Sequence, residues 1–252
     1  MKTILVTGAT SGFGKAIAEQ FAANNFQVVI CGRRQERLDE LKTELEKNFS
    51  AKIHSLCFDV RSNDEVMNAA QQIPSDFLPI DILVNNAGLA SGLSHIQDGD
   101  VNDWDKMIDT NVKGLLYVTK AVLPLMKNSS SPQIVNIGST AAKYAYEKGN
   151  VYNASKFAVD ALNQAMRIDL LKQGVKVTGI HPGAAETEFS LVRFQGDAQK
   201  AKAVYNGFKP LEAKDIADVC WYVCNLPPHV CINDLIITPT AQASPYYINR
   251  ES

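Results

Sequence analysis

The chain has 252 residues, of which 46% are apolar and 21% charged, and its net charge is −2. That is an ordinary globular composition, which excludes a disordered chain, and its near balance of charge gives a polyanion such as nucleic acid nothing to bind. No apolar run approaches the roughly 18 residues that a membrane span requires, so the expected partner is a small molecule.

The first apolar run, residues 3–7 (T-I-L-V-T), is too short for a signal-peptide core and reads as a buried strand, with a cytoplasmic location as the corollary. Further strand-like runs lie at 27–31, 53–58, 81–85, 133–138, 175–180 and 235–238. Between them, 13–24, 35–47, 63–72, 101–127, 152–172 and 214–225 repeat apolar residues at three- and four-residue spacings, as in Leu38, Leu41 and Leu45. Strands this continuously apolar suit a parallel sheet covered on both faces. The alternation predicts right-handed βαβ crossovers and an α/β fold, a doubly wound parallel sheet of Rossmann type, in a single domain over 1–252. The five cysteines form no C-x-x-C pair and have no paired histidines, so they read as small buried hydrophobes in a reducing compartment and no metal site is expected.

In such a sheet ligands bind beyond the carboxyl ends of the strands, where the strand order reverses. After the first strand comes T-G-A-T-S-G-F-G, with Gly8, Thr10, Ser11, Gly12, Phe13 and Gly14 as candidate cofactor residues. The glycines permit a tight turn and close approach of backbone to a phosphate, and the helix that begins there offers unpaired N–H groups to an anion. After the second strand come Arg33 and Arg34, with no carboxylate until Glu36. An NAD enzyme usually presents an acid here to the ribose hydroxyls, whereas guanidinium groups match a 2′-phosphate, so NADP is the expected cofactor. Asp59 and Val60 follow the third strand, and Asn86, Ala87 and Gly88 the fourth; these short residues suit an adenine edge and a ribose packed on backbone. Ser139 stands at the mouth of the fifth.

The pattern Tyr-x-x-x-Lys occurs three times, at Tyr144/Lys148, Tyr152/Lys156 and Tyr205/Lys209. A lysine one turn beyond a tyrosine can draw the phenol toward neutrality: the drop from ~10 requires roughly 4 kcal/mol, about what an ammonium at ~4 Å supplies at an effective dielectric of ~20. The first copy runs into Gly149 in a loop, and the third contains Gly207 and abuts Pro210. Tyr152 and Lys156 open a long helical segment thirteen residues after Ser139, and on that helix they share a face. They are the pair expected to work, Tyr152 as general acid/base and Lys156 as its tuner, with Ser139 holding the reacting oxygen. Arg193, in a segment of about 184–212 expected to cap the cofactor, could pair a substrate carboxylate.

Taken together, T-G-A-T-S-G-F-G, N-N-A-G, Asn111, Ser139, Y-N-A-S-K and P-G-A-A-E-T in this order resemble the short-chain dehydrogenase/reductase family over essentially the whole chain. The resemblance implies a nicotinamide cofactor, reversible alcohol–carbonyl hydride transfer, and a homotetramer or dimer. It also implies contact of Lys156 with the nicotinamide ribose, a proton-relay water held at Asn111, and cofactor contacts from Pro182, Gly183 and Thr187. Within the family, G-R-R-Q-E-R-L, M-I-D-T-N-V-K-G-L, T-E-F-S-L-V-R-F-Q-G-D and P-P-H-V-C-I-N-D-L look most like the bacterial NADP-dependent 3-hydroxy acid (serine) dehydrogenases. Residues 182–187 depart from that subfamily, with Ala184-Ala185-Glu186 where a larger aliphatic residue and glycines are usual, and the loop is one residue shorter. The substrate so implied is a small 3-hydroxy acid of the serine, 3-hydroxypropionate or 3-hydroxyisobutyrate type, or its semialdehyde. An uncharged ketone, sugar or dicarbonyl is the alternative, and a non-catalytic NADP(H) sensor is the remote one. The C-terminal S-P-Y-Y-I-N-R-E-S suits either a subunit interface or a frayed end.

Overall fold

The computed structural model describes residues 1–251. In chain order the elements are β1 (Thr3–Thr7), α1 (Gly12–Ala23), β2 (Gln27–Gly32), α2 (Gln35–Phe49), β3 (Ile53–Cys57), α3 (Asn63–Gln71), β4 (Ile82–Asn85), α4 (Val101–Ile108) and α5 (Leu115–Met126). They continue with β5 (Gln133–Ile137), α6 (Asn150–Asp169), β6 (Lys176–Pro182), α7 (Glu188–Arg193), α8 (Ala198–Ala203), α9 (Ala213–Cys224) and β7 (Asp234–Ile237). The seven strands form one parallel sheet in the order β3-β2-β1-β4-β5-β6-β7. The order reverses between β1 and β4, which places the ligand crevice at the carboxyl ends of those two strands.

Side chains alternate across a strand, and here both sets are apolar. Ile4, Val6, Val28 and Ile30 pack with Ile17, Phe21, Leu38, Leu41 and Ile216 on one face. Leu5, Val29, Cys31 and Leu83 pack with Val66, Val118, Val122 and Met166 on the other. The first face is closed by edge-to-face contacts among Phe21, Phe26 and Trp221, with centroids 5.0–5.8 Å apart, so the last helix is fastened to the first.

Two differences from the sequence expectation bear on the site. The helix expected over 101–127 is interrupted: between α4 and α5, Asp109–Gly114 winds as a π-helix. A wider turn of this kind re-aims a side chain that a regular helix would bury elsewhere, and it holds Asn111. Gly114 ends it against the loop after β3, where an added Cβ would lie 2.8 Å from Val60 Cγ2. The segment of about 184–212, expected to cap the cofactor, contains two short helices, α7 and α8, and is closed at its base, where Glu186 N–H donates to the Leu211 carbonyl (2.8 Å) and Leu211 N–H to that of Ala184 (2.9 Å). The C-terminal tail reaches this segment through Arg250, which donates to the carbonyls of Val204 and Asn206, and the loop before α6 through Tyr246, which donates to that of Ala145.

Candidate active site

The turn after β1 forms because Gly8 and Gly12 take φ of +66° and +53°, in the left-handed region. Gly14 is required for a different reason: a Cβ there would lie 2.3 Å from the Gly8 carbonyl oxygen and 2.5 Å from Asn86 Nδ2. Asn86 holds the turn from the other side of the crevice, its amide donating to the carbonyls of Thr7 (2.8 Å) and Gly8 (3.2 Å). Thr7 Oγ1 in return accepts from the N–H groups of Asn86 and Ala87, both at 3.0 Å. At the start of α1, Ser11 caps no backbone N–H with its side chain and the first turn holds no acid, which leaves the donors there for an anion. This turn, packed directly on α1 at Gly14 and left without a capping carboxylate, fits a pyrophosphate at the start of the helix.

At its outer edge stand the arginines. Arg34 Nη2 donates to Thr10 Oγ1 (2.8 Å) and Ser11 Oγ (3.3 Å), fixing the guanidinium beside the turn. Arg33 reaches Asp59 at 3.7 Å, and Asp59 is gripped by Arg61 at 2.6–3.1 Å. Burial raises the Asp59 carboxyl, but the Arg61 hydrogen bonds and the Arg33 charge outweigh it and the net displacement is downward, so the group is an anion. Val60 is buried behind it, against the π-helix.

The catalytic candidates converge on the other side of the crevice. Tyr152 and Lys156 lie on the first turns of α6, both buried. Ser139, after β5, caps a single turn of 3-10 helix, its hydroxyl accepting from Ala141 N–H at 3.1 Å. Lys156 Nζ donates to the Ile137 carbonyl at 3.1 Å and lies 6.0 Å from the Tyr152 ring centroid. Asn111 bonds the Leu89 backbone on both sides at 2.8 Å and donates to Ser155 Oγ at 3.0 Å, which ties the π-helix to α6 and to the Asn86–Gly88 turn. The other two Tyr-x-x-x-Lys pairs fall away. Lys148 sits in a loop at φ +63°, and Tyr205 spends its hydroxyl on the Ala185 carbonyl (2.7 Å) and Ser190 (2.6 Å) as a staple of the cap.

The electrostatics differ from the expected tuning. Burial pushes the Tyr152 phenol up to about 12, with Tyr146 adding, while the Ser139 hydroxyl and the Arg193 guanidinium pull it down. Burial also pushes the Lys156 amine down to about 8. Desolvation thus opposes the charged form of both partners, and the lysine spends its ammonium on a backbone carbonyl before the crevice holds any other charge.

Arg193, on the last turn of α7, folds back over the pair. Its Cζ lies 5.1 Å from the Tyr152 ring centroid, 5.6 Å from that of Tyr146 and 5.9 Å from that of Phe189, and it donates to the Tyr146 hydroxyl. Its Nε is buried with no hydrogen-bond partner. Tyr152 and Arg193 line a cavity of about 240 Å³ together with Trp104, Asp103, Ser91 and Asn150. Thr187 caps α7, accepting from Phe189 N–H at 3.2 Å, and leans on the phosphate turn, its Cβ 3.3 Å from where a Cβ on Gly12 would stand. Pro182 and Gly183 leave β6 between the two halves, with Gln242 Oε1 2.3 Å from the place of a Gly183 Cβ and accepting from Ala184 N–H at 2.8 Å. Among the described residues the one group with metal-ligand spacing is Asp160, His181 and Asp234, and the Lys143 ammonium already sits on both carboxylates, at 3.0 and 2.7 Å.

Sequence reasoning missed Tyr146, Phe189, Trp104 and Arg61. Tyr146 has asparagine at the fourth position onward and so escapes the Tyr-x-x-x-Lys pattern; its place in the loop that follows Ser139 is the signal that could have found it.

Comparison with known proteins agrees with this geometry. Residues 2–197 match the family described as short chain dehydrogenase. The chain is 44% identical over 250 residues to sulfoacetaldehyde reductase 2 of Chromohalobacter salexigens, covering 98% of each chain. It is 45% identical over 241 residues to the NADP-dependent 3-hydroxy acid dehydrogenase YdfG of Escherichia coli, covering 95% of this chain and 96% of the other. Among solved structures, the closed form of a serine dehydrogenase complexed with NADP+ superposes with a TM-score of 0.91 at 44% identity, covering 99% of both chains.

Proposed function

Since the chain belongs to the short-chain dehydrogenase family, we propose that it transfers a hydride between NADP(H) and a small 3-hydroxy acid or its semialdehyde. The cofactor reading rests on the pyrophosphate cradle at Gly8–Gly14 and on the Arg33 and Arg34 guanidiniums at its ribose edge. When bound, the nicotinamide supplies the hydride acceptor or donor and, in its oxidised form, a positive charge beside the phenol.

In the oxidative direction Tyr152 takes the hydroxyl proton and in the reductive direction returns it. With the cofactor bound, the Lys156 ammonium and the nicotinamide charge would together draw the phenol back down; Lys156 also anchors the ribose, and Ser139 holds the reacting oxygen. Asn111, by fixing Leu89 and Ser155, keeps the π-helix and α6 in register, and its neighbourhood is where a relay water to Lys156 is proposed. The capping segment about 184–212 covers the bound acid. For the assembly we propose a homotetramer in the cytoplasm, to be weighed by light scattering on the purified protein.

The observation that carries the substrate reading is Arg193, which is stacked 5.1 Å from the Tyr152 ring, lines a cavity of about 240 Å³ and has a buried Nε with no partner. An unpaired buried donor is costly, and a small anion would satisfy it bidentately. A guanidinium accepts a sulfonate as readily as a carboxylate, and relatives named for either substrate are equally similar to this chain. The test follows NADP+ reduction, with NAD+ in parallel, against serine, 3-hydroxypropionate, 3-hydroxyisobutyrate, isethionate and their uncharged alcohol analogues, with Tyr152→Phe as the inactive control. Turnover of the acids with NADP+, and a rise of about tenfold or more in their KM on Arg193→Ala, is the expected result. Equal turnover of the uncharged alcohols would remove the anion clamp and favour a neutral ketone, sugar or dicarbonyl.

A further inference from the structure

Arg37 lies one turn beyond Arg34 on α2 and plays no part in the reading of the cofactor given so far. Its Nη1 is 2.9 and 3.0 Å from the two carboxylate oxygens of Glu188, and Glu188 Oε2 also accepts from Arg34 Nη1 at 3.4 Å. One carboxylate, from the first turn of α7, therefore bridges the guanidiniums of Arg34, at the N-terminal cap of α2, and Arg37, in its first turn. Arg34 is meanwhile held on its other edge by Thr10 and Ser11 of the phosphate turn.

We infer that Arg37 is a third ligand of the cofactor's 2′-phosphate and that Glu188 is the anion which that phosphate replaces. The inference rests on the NADP reading above and extends it to a residue and a competitor that the reading does not contain. The Glu188 oxygens mark a point that both guanidiniums reach at once, so an anion placed there is bound by Arg34 and Arg37 together. A phosphate there presents three oxygens and close to two charges, where Glu188 presents two oxygens and one charge. The Glu188 contacts are half-exposed ion pairs, of the kind that contribute little and are screened by salt, so they yield to a stronger anion. Thr187, the residue before Glu188, rests against the phosphate turn at Gly12, so the start of the cap touches the cofactor site at two independent points. Exchange of Glu188 for phosphate thus connects cofactor binding to the position of α7 and of Arg193 at its other end.

Calorimetry on the cofactor-free protein tests this with fragments that lack the nicotinamide: adenosine 2′,5′-bisphosphate, and 5′-AMP as the control without the 2′-phosphate. Arg37→Gln should weaken the bisphosphate by about tenfold and leave 5′-AMP within about twofold. Glu188→Gln should tighten the bisphosphate by roughly threefold or more, and the gain should shrink when Arg37→Gln is also present. Wild-type affinity in Arg37→Gln, or unchanged or weaker affinity in Glu188→Gln, overturns the inference. If Arg34→Gln abolishes the preference for the bisphosphate while Arg37→Gln keeps it, the NADP reading stands and only the role of Arg37 falls. If the wild-type protein does not prefer the bisphosphate to 5′-AMP, the NADP reading itself falls.

Discussion

Lys156 is an amine buried to 6% exposure whose one hydrogen-bond acceptor is the Ile137 carbonyl. Its pKa falls from 10.5 to about 8 on folding, so between those values the unfolded chain holds a proton that the folded one has released. Stability therefore rises with pH across that window, and below about pH 8 the burial penalty is complete, ~3 kcal/mol at ~1.4 kcal/mol per pKa unit. Lys156→Met should accordingly raise the melting temperature of the cofactor-free protein at pH 7 by several degrees while abolishing turnover. A lower melting temperature would mean that the amine stabilises the fold. The phenol gives a second test. With Tyr152 as the proposed base, alcohol oxidation needs the deprotonated phenol, so its rate should rise with pH. Ser139 pulls the phenol down, so Ser139→Ala should displace that limb to higher pH as well as lower kcat. An unmoved limb in the variant would separate Ser139 from the ionisation of Tyr152.

At the scale of elements, what the sequence revealed was which segment carries a motif, and what it concealed was the shape of the segment. Three Tyr-x-x-x-Lys copies were separable because Gly149, Gly207 and Pro210 break two of them, and the remaining copy lies on α6, which begins at Asn150, two residues before the expected start. The π-helix was not legible. Residues 109–114 (D-T-N-V-K-G) are mostly weak helix formers, but that marks a weak stretch and not a wider turn, which is fixed by contacts with Val60, Leu89 and α6. The same holds for Arg37 and Glu188, which are 151 residues apart and lack any shared pattern. Since Asn111 uses its amide nitrogen on both Leu89 and Ser155, Asn111→Asp keeps the shape but removes both donations and faces a carbonyl with a charge. The loss should be about 2–4 kcal/mol of stability, read as a lower denaturant midpoint, together with a fall in kcat. A variant as stable as the wild type would show that the π-helix is set by Gly114 and Val60 alone.

Across the whole molecule the two ligand-facing halves are built with unequal stability. The sheet half was legible almost throughout, because a strand buried on both faces has to be apolar at nearly every position, and its helices are fixed by residues such as Leu38, Leu41 and Leu45. The capping half has no such core: α7 buries Ser190 alone, and α8 buries none of its six residues. Local opening costs free energy in proportion to the apolar contacts that must be broken, so the cap should open far more often than the sheet. Lysines test this directly, since Lys200 and Lys202 lie on α8 whereas Lys42 and Lys47 lie on α2, which is held by three buried leucines. Brief trypsin digestion of the native protein should therefore cut first after Lys200 or Lys202, leaving two fragments that stay associated through the sheet. NADP+ with a small acid should slow that cut, because an anion on Arg193 ties the end of α7 to the Tyr152 wall of the cavity. First cleavage within α2 would show that its buried leucines confer no greater resistance to opening than the cap possesses. Cleavage of α8 at an unchanged rate with both ligands bound would show that the acid does not engage the cap through Arg193.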